Sequence, residues 1–312
     1  MGPSSVVAVG RFAPSPSGEL HLGNLRTGLV AWLFARSAGS RFLMRIEDLD
    51  AVTARPEHEA SQVRDLEAIG VDWDGEPVRQ STRRARHDAV IEELTDRGLT
   101  YACFCTRREI HEAAAAPHGP LPEGAYPGTC RDLSAAQQGE RTAAGRRPAL
   151  RLRTDGEVVV VDDRIHGRVE RVVDDVVLRR GDGTPAYNLA VVVDDADMGV
   201  EEVVRGDDLL PSTPRQIHLA RLLGFAVPTY AHVPLVLGPD GRRLAKRDGA
   251  VTLSDRLALG ETADDVRARL AVSLGLAERG ERPTPAELVE RFDAAALPRD
   301  PWVLGPADLG TG

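Results

Sequence analysis

The stretch "RFAPSPSGELHLGNLRTG", residues 11–28, decides the fold. It lies between an apolar run, Val6 to Val9, and an amphipathic helical pattern from Leu25 to Ser37. Prolines and glycines at this density are what a plain loop carries. Set between a strand and a helix, they also suit a phosphate cradle. Gly18 and Gly23 then let a nucleotide approach the backbone, and the helix start offers N–H groups and a positive dipole end. His21 is placed to donate to a phosphate oxygen. Taken alone, the tetrapeptide H-x-G-N fits a capping loop with a buried histidine.

Outward from that stretch, Val6 to Phe12 reads as a buried strand, Leu25 to Ser37 as a helix and Arg41 to Ile46 as a second strand, a βαβ unit. Helical patterns follow at Pro56 to Ile69 and Thr82 to Arg97, so the first hundred residues predict a doubly wound parallel sheet. From about Tyr101 to Gly183 the pattern changes to short β-like runs (Leu150 to Arg153, Val158 to Val161, Val172 to Leu178) among turns such as "PHGPLPEGAYPG", as in an inserted α+β domain. Parallel-sheet character is expected to return with "AYNLAVVVDD" (186–195), a helix over 212–223 and the run "VPLVL" (233–237). The rest reads as two or three helices with Pro breaks. The division expected is 1–100 and 186–250 as the two halves of a catalytic domain, 101–185 as the insert and 251–312 as a short helical tail.

The 312 residues, 42% hydrophobic and 28% charged, suit a globular chain with a sizeable core. No apolar run reaches the ~20 residues of a bilayer span, and "MGPSSVVAVGRF" lacks the basic start of a signal peptide. A cytoplasmic protein with no membrane partner is expected, acting as a monomer. The net charge of −9 argues against broad nucleic-acid binding, which is mostly electrostatic. It leaves room for local arginine clusters, such as "STRRARH" (81–87) and "CTRREIH" (105–111); each read alone is a solvated helix face.

Two further patterns carry chemistry. In "GRRLAKRDG" (241–249) a Gly-flanked basic loop brings Lys246, which can close on a triphosphate and neutralise the charge that builds as pyrophosphate leaves. All three cysteines fall between 103 and 130. Cys103 and Cys105, one residue apart, with Cys130 on a returning turn, can make three corners of a tetrahedral zinc site. Chemistry alone looks to His111 or His118 for the fourth corner, and three free buried thiols is the alternative.

With these motifs the chain resembles the class I aminoacyl-tRNA synthetases. "RFAPSPSGELHLGN", "RIEDLD", "VDWDG", "YNLAVVVDD" and "VVRGDDLL" are similar to the glutamyl branch, through nearly all of residues 7–250. The "PSPSGELH" spelling with Ser17, the length and the cysteine element resemble the short glutamyl-Q tRNA(Asp) synthetase family. The resemblance implies a Rossmann-like parallel sheet, an inserted zinc-bearing α+β domain and a short helical C-terminal region. It implies a ligase that activates L-glutamate with ATP and Mg²⁺ and attaches it to queuosine in tRNA(Asp). It assigns ATP to His21, Gly23, Asn24 and Lys246, with His21 and Lys246 catalytic. Glutamate falls to Arg11, Phe12, Ala13, Pro14 and Ser15, with Glu47 toward the α-ammonium and Tyr187 and Arg205 completing the pocket. Arginine forks suit carboxylates; read without the family, Arg205 fits an ion pair with Asp207 or Asp208, and Glu47 one with Arg45. The fourth zinc ligand by resemblance is Tyr126. Two positions depart from the family's usual spelling: Asn24 replaces the second histidine of the first signature, and Ala245 replaces a serine of the second. A truncated glutamyl-tRNA synthetase, a small-molecule nucleotidylyltransferase and a non-catalytic tRNA-binding paralogue are the rivals.

Overall fold

The computed structural model describes residues 8–106, 108–110, 125–244, 249 and 251–309. Its central sheet has seven strands in the order β3-β2-β1-β9-β10-β6-β7. These are β1 (Gly10–Phe12), β2 (Phe42–Ile46), β3 (Val78–Arg79), β6 (Val158–Asp163), β7 (Gly167–Val172), β9 (Glu202–Gly206) and β10 (Thr229–Val233). All neighbours run parallel except β6 and β7, which form an antiparallel hairpin. A separate antiparallel sheet joins β4 (Thr100–Cys103), β5 (Ala149–Leu152) and β8 (Val177–Arg179) in the order β4-β5-β8. The doubly wound parallel sheet is therefore present, and part of the 101–185 stretch belongs to it: β6 pairs with β10. Among the described residues of that stretch, only β4, β5 and β8 make a sheet apart from it.

Alternation along the strands splits the core in two. Phe42, Met44 and Ile46 face one cluster, which contains helix α1 (Leu22–Ser37), while Leu43 faces the other. Leu22, Leu25, Leu29 and Leu33 of α1 are fully buried, each contributing about 1.5–3 kcal/mol relative to exposure. Helix α2 (Pro56–Ala68) adds Leu66 to the same side. Helix α3 (Arg84–Asp96) and the helices Tyr187–Asp197 and Thr213–Leu222 cover the opposite face.

The run "YNLAVVVDD" corrects the strand expectation. Residues 187–197 are helical, and Leu189 to Asp195 are buried consecutively. A helix enclosed on most sides has no polar face to set a 3.6-residue period, and its valines mimic a buried strand. The tail has the expected helical character: Leu253–Ala258, Ala263–Ser273 and Pro285–Arg291 start at the capping boxes of Thr252, Thr262 and Thr284. A four-residue turn of helix, Pro306–Leu309, follows. Between them β12 (Trp302–Val303) returns to pair in parallel with β11 (Val236–Leu237). No helix among the described residues is long and apolar enough to cross a membrane.

Candidate active site

Strand β1 has β2 on one side and β9 on the other, so chain direction around the sheet switches there. In open α/β sheets ligands bind at the carboxyl ends of strands at such a point. A cleft of 550 Å³ opens at this place, lined by Arg11 to Ser15, His21, Gly23, Asn24, Glu47, Tyr187 and Arg205. Every described residue expected to hold ATP or glutamate is thus in one cleft. Lys246 and Ala245 lie outside the described residues. Their flanks converge here: Arg243 lines the cleft, and the Leu22 N–H donates to the Val251 carbonyl at 2.8 Å.

His21 is the N-cap of α1. Its Nδ1 accepts from the Asn24 N–H at 3.2 Å, while Asn24 Oδ1 accepts from the His21 N–H at 3.2 Å, a reciprocal capping box. Burial and the nearby Arg243 lower the His21 pKa to about 4, so the ring is neutral near pH 7. With Nδ1 occupied as an acceptor, the proton sits on Nε2 and that nitrogen is the donor. Asn24 keeps the cap by a route the sequence did not suggest, through its carbonyl. Gly23 is required by the packing: a Cβ there would meet the His21 ring at 2.9 Å and Val236 at 3.3 Å. Gly18 has open space around it instead.

The glutamate-pocket candidates are wired through a carboxylate that sequence reasoning missed. Asp195 Oδ1 accepts from Arg11 Nε at 3.3 Å and from Arg45 Nη1 at 2.5 Å, and Arg45 Nη2 donates to Glu47 Oε1 at 3.1 Å. Burial alone would raise the Asp195 pKa, but Arg45 and Arg11 outweigh it and hold the carboxyl below its ordinary value. For Glu47 burial wins over Arg45 and Arg11, and its pKa is raised. The pairing of Glu47 with Arg45 read from the sequence is present, beside its place in the cleft. Arg205 is not in an ion pair with Asp207 or Asp208. It donates from Nε to His232 Nε2 at 3.1 Å and from Nη2 to Thr213 Oγ1 at 2.8 Å, and its buried Nη1 has no partner. Asp208 pairs with Arg243 at 2.7 Å.

A second hollow, 990 Å³, adjoins the cleft through Ser15, Glu47 and Tyr187 and is walled on its far side by Tyr126, Cys105, Arg151 and Arg180. Arg151 lies 3.7 Å above the centroid of the Tyr126 ring. Beside it the sulfurs of Cys103, Cys105 and Cys130 lie within 4.8 Å of one another. The Tyr126 hydroxyl is 3.4 Å from Cys103 Sγ and 3.8 Å from Cys105 Sγ, and it accepts from the Cys130 N–H at 2.8 Å. Zn–S bonds of about 2.3 Å put tetrahedral sulfurs about 3.8 Å apart; Cys105 and Cys130 are 3.4 Å apart here. The donor set therefore fits a tetrahedral metal. Burial and the neighbouring Cys130 and Cys103 push the Cys105 thiol up to about 12, a state that a bound cation would reverse. His111 and His118 lie outside the described residues.

The arginines of "STRRARH" are not a free basic face. Arg83 pairs with Asp194 and Asp197, Arg86 with Asp197 at 2.9 Å, and His87 Nε2 meets Asp194 Oδ1 at 2.9 Å. They tie α3 to the helix 187–197. Of "CTRREIH", Arg107 and His111 lie outside the described residues.

Comparison with known proteins agrees with this geometry. Residues 7–291 match the family model "tRNA synthetases class I (E and Q), catalytic domain". The chain belongs to this class I synthetase family. It is 63% identical over 300 residues to a glutamyl-Q tRNA(Asp) synthetase of Nocardia farcinica, covering 96% of this chain and 94% of that protein. Against a glutamate–tRNA ligase of Nitrosomonas europaea it is 40% identical, covering 96% of this chain but 64% of that protein. A crystal structure of a glutamate tRNA ligase from Elizabethkingia meningosepticum, in complex with its amino acid, superposes with a TM-score of 0.79 at 26% identity, over 97% of this chain and 68% of that one. This synthetase is a ligase with the class I fold and a glutamyl-tRNA synthetase-like function.

Proposed function

We propose that this synthetase activates L-glutamate with ATP to glutamyl-adenylate without needing tRNA, and then transfers the glutamyl group to the cyclopentenediol of queuosine at the wobble position of tRNA(Asp). In the first step an α-carboxylate oxygen attacks the α-phosphorus, the bond to the bridging oxygen breaks, and pyrophosphate leaves with it. Mg²⁺ enters as part of the ATP substrate and screens the phosphate charge. His21 Nε2–H and Lys246 stabilise the charge that develops on the phosphoryl oxygens, and positioning does most of the rest. In the second step a queuosine hydroxyl attacks the acyl carbon, AMP leaves, and the hydroxyl proton is released.

The observation that carries the amino-acid part is the unpartnered Nη1 of Arg205 in a cleft that also presents Arg11. An unpaired buried donor on a cation is costly unless a ligand completes it. Arg11 and Arg205 meet substrate carboxylate and Glu47 meets the α-ammonium, with Phe12, Ala13, Pro14, Ser15 and Tyr187 forming the walls. His21, Gly23 and Asn24 begin the helix that receives ATP phosphate. The acceptor is favoured by the 63% identity to a glutamyl-Q tRNA(Asp) synthetase over nearly that whole protein. The hollow beside the cysteines has the size and the arginine and tyrosine surfaces for a base held by stacking and hydrogen bonds.

The test offers labelled glutamate to queuosine-containing tRNA(Asp), the same tRNA without queuosine, and tRNA(Glu). Only the first takes label, and the labelled product survives periodate treatment of the 3′-terminal ribose. Labelling of tRNA(Glu) overturns the acceptor assignment.

Zinc held by Cys103, Cys105, Tyr126 and Cys130 belongs to the same reading, and when bound it cross-links the chain around the hollow. Elemental analysis of protein purified without added metal should find about one zinc per chain, the complement of one four-ligand site. Cys105→Ser should lower it. Metal-free protein with full activity contradicts the assignment.

A further inference from the structure

His232 and Asp163 come from neighbouring strands of the central sheet, and neither lines the cleft itself. His232 on β10 is the register partner of Arg205 on β9, and β6, which ends at Asp163, is the next strand over. His232 is fully buried and Asp163 and Arg205 nearly so. Asp163 is fixed by its surroundings: it accepts from the backbone N–H groups of Ile165 at 3.0 Å, His166 at 2.9 Å and His232 at 3.1 Å. Its Oδ2 then lies 2.6 Å from His232 Nδ1. A carboxylate only accepts, so Nδ1 carries the proton, and Nε2 presents its lone pair to Arg205 Nε at 3.1 Å. Burial, together with the positive Arg205, lowers the His232 pKa, which keeps this neutral tautomer in place.

We infer that Asp163, His232 and Thr213 are positioning residues that lock the Arg205 guanidinium by neutral acceptors alone, leaving Nη1 and the undivided positive charge for the substrate carboxylate. The contrast within the cleft is direct. Arg11 shares Asp195 with Arg45, so part of its charge is already satisfied by an internal carboxylate. Arg205 has no carboxylate partner among the described residues: Nε goes to an imidazole nitrogen, Nη2 to a hydroxyl, and the Tyr230 ring lies 5.5 Å from its central carbon. Aspartate or glutamate in place of His232 would orient the guanidinium equally well but spend its charge. The neutral acceptor gives orientation without neutralisation, so the cleft prefers a carboxylate to a carboxamide at this position.

This inference rests on the reading that Arg205 meets substrate carboxylate, and the test separates the two. Glutamate-dependent and glutamine-dependent pyrophosphate exchange would be measured, with KM for each amino acid and for ATP, in Arg205→Ala, His232→Leu, His232→Gln, Thr213→Val and Thr213→Ser. Arg205→Ala should raise KM for glutamate about 100-fold, and His232→Leu and Thr213→Val about 10-fold, as expected for lost hydrogen bonds to a charged group. KM for ATP should stay within about 2-fold, a separation that general loosening of the fold would not produce. His232→Gln and Thr213→Ser, which restore a neutral acceptor, should recover most of the loss. The preference for glutamate over glutamine should fall with His232→Leu. Should buried His232→Leu fail to fold, the near-isosteric Thr213→Val with its serine rescue carries the test. An unchanged KM in Arg205→Ala overturns the substrate assignment itself. A raised KM in Arg205→Ala with wild-type values in His232→Leu and Thr213→Val overturns only the positioning role, as does an equal rise in KM for glutamate and ATP.

Discussion

Asp195→Ala is expected to lower global stability by about 3–5 kcal/mol, the cost of leaving buried charge uncompensated. A single oxygen, Oδ1, holds Arg11 from β1 and Arg45 from β2, and Arg45 has no exposed side-chain surface. Removing the carboxylate leaves Arg11 with the Val204 carbonyl and no charged partner, and leaves Arg45 with Glu47 alone, both where water does not reach them easily. Against a typical total of about 5–15 kcal/mol the loss is large, and a urea unfolding curve should show it as a lower midpoint with little change in slope. Asp195→Asn fills the same volume and still accepts one hydrogen bond, so it should fall between parent and alanine. The pH dependence has a definite sign. The folded-state pKa of Asp195 is depressed, so its contribution is fully present above the unfolded value of about 3.9 and is lost as pH falls through the folded one. The gap between parent and variant should therefore narrow only below about pH 4. A parent-like midpoint for Asp195→Ala at neutral pH would mean that the two arginines are satisfied without it.

The same residue shows where sequence reading stops. "VVVDD" reads plainly as a buried apolar run ending in carboxylates, yet those carboxylates belong to a helix, and their partners lie far away along the chain. Asp195 meets Arg11 across 184 residues, and His232 meets Asp163 across 69. No local period encodes such pairs; the packing of a helix against the sheet sets the first and the register of parallel strands the second, and both follow from which apolar faces are buried together. What was legible was local. The first signature needs a strand, a tight approach and a helix start within a few residues, and Gly23 against the His21 ring meets that need. The cluster of Cys103, Cys105 and Cys130 was legible for the same reason, since two of them leave one strand end and the third returns on a turn, whereas Tyr126 came only from the family resemblance. The basic run "STRRARH" misleads because composition counts its charges without their partners; Asp194 and Asp197 take up those of Arg83 and Arg86.

His21→Asn is expected to slow adenylate formation by about 10²–10³-fold while leaving stability within about 0.5 kcal/mol of the parent. His21 does two things that alanine would remove together. Its Nδ1 caps α1 through the Asn24 N–H, and its Nε2–H faces a cleft proposed to hold the α-phosphate. Asparagine is among the best N-cap residues, so it can accept from the same N–H and keep the helix start, but it has no donor where Nε2 stood. His21→Ala should lose the rate and a further ~1 kcal/mol of stability. Acid sharpens the distinction. The His21 pKa is lowered to about 4 in the fold and is near 6.5 when unfolded, so between these values the unfolded chain binds more protons. Stability of the parent is thus lost as pH falls through that window. The asparagine variant lacks this term, so its stability relative to the parent should rise from pH 7 to pH 5. Over pH 6 to 8 the ring stays neutral and its donor unchanged, so the rate defect measured by pyrophosphate exchange should keep the same size. A variant that exchanges pyrophosphate at the parental rate would leave His21 a cap and nothing more.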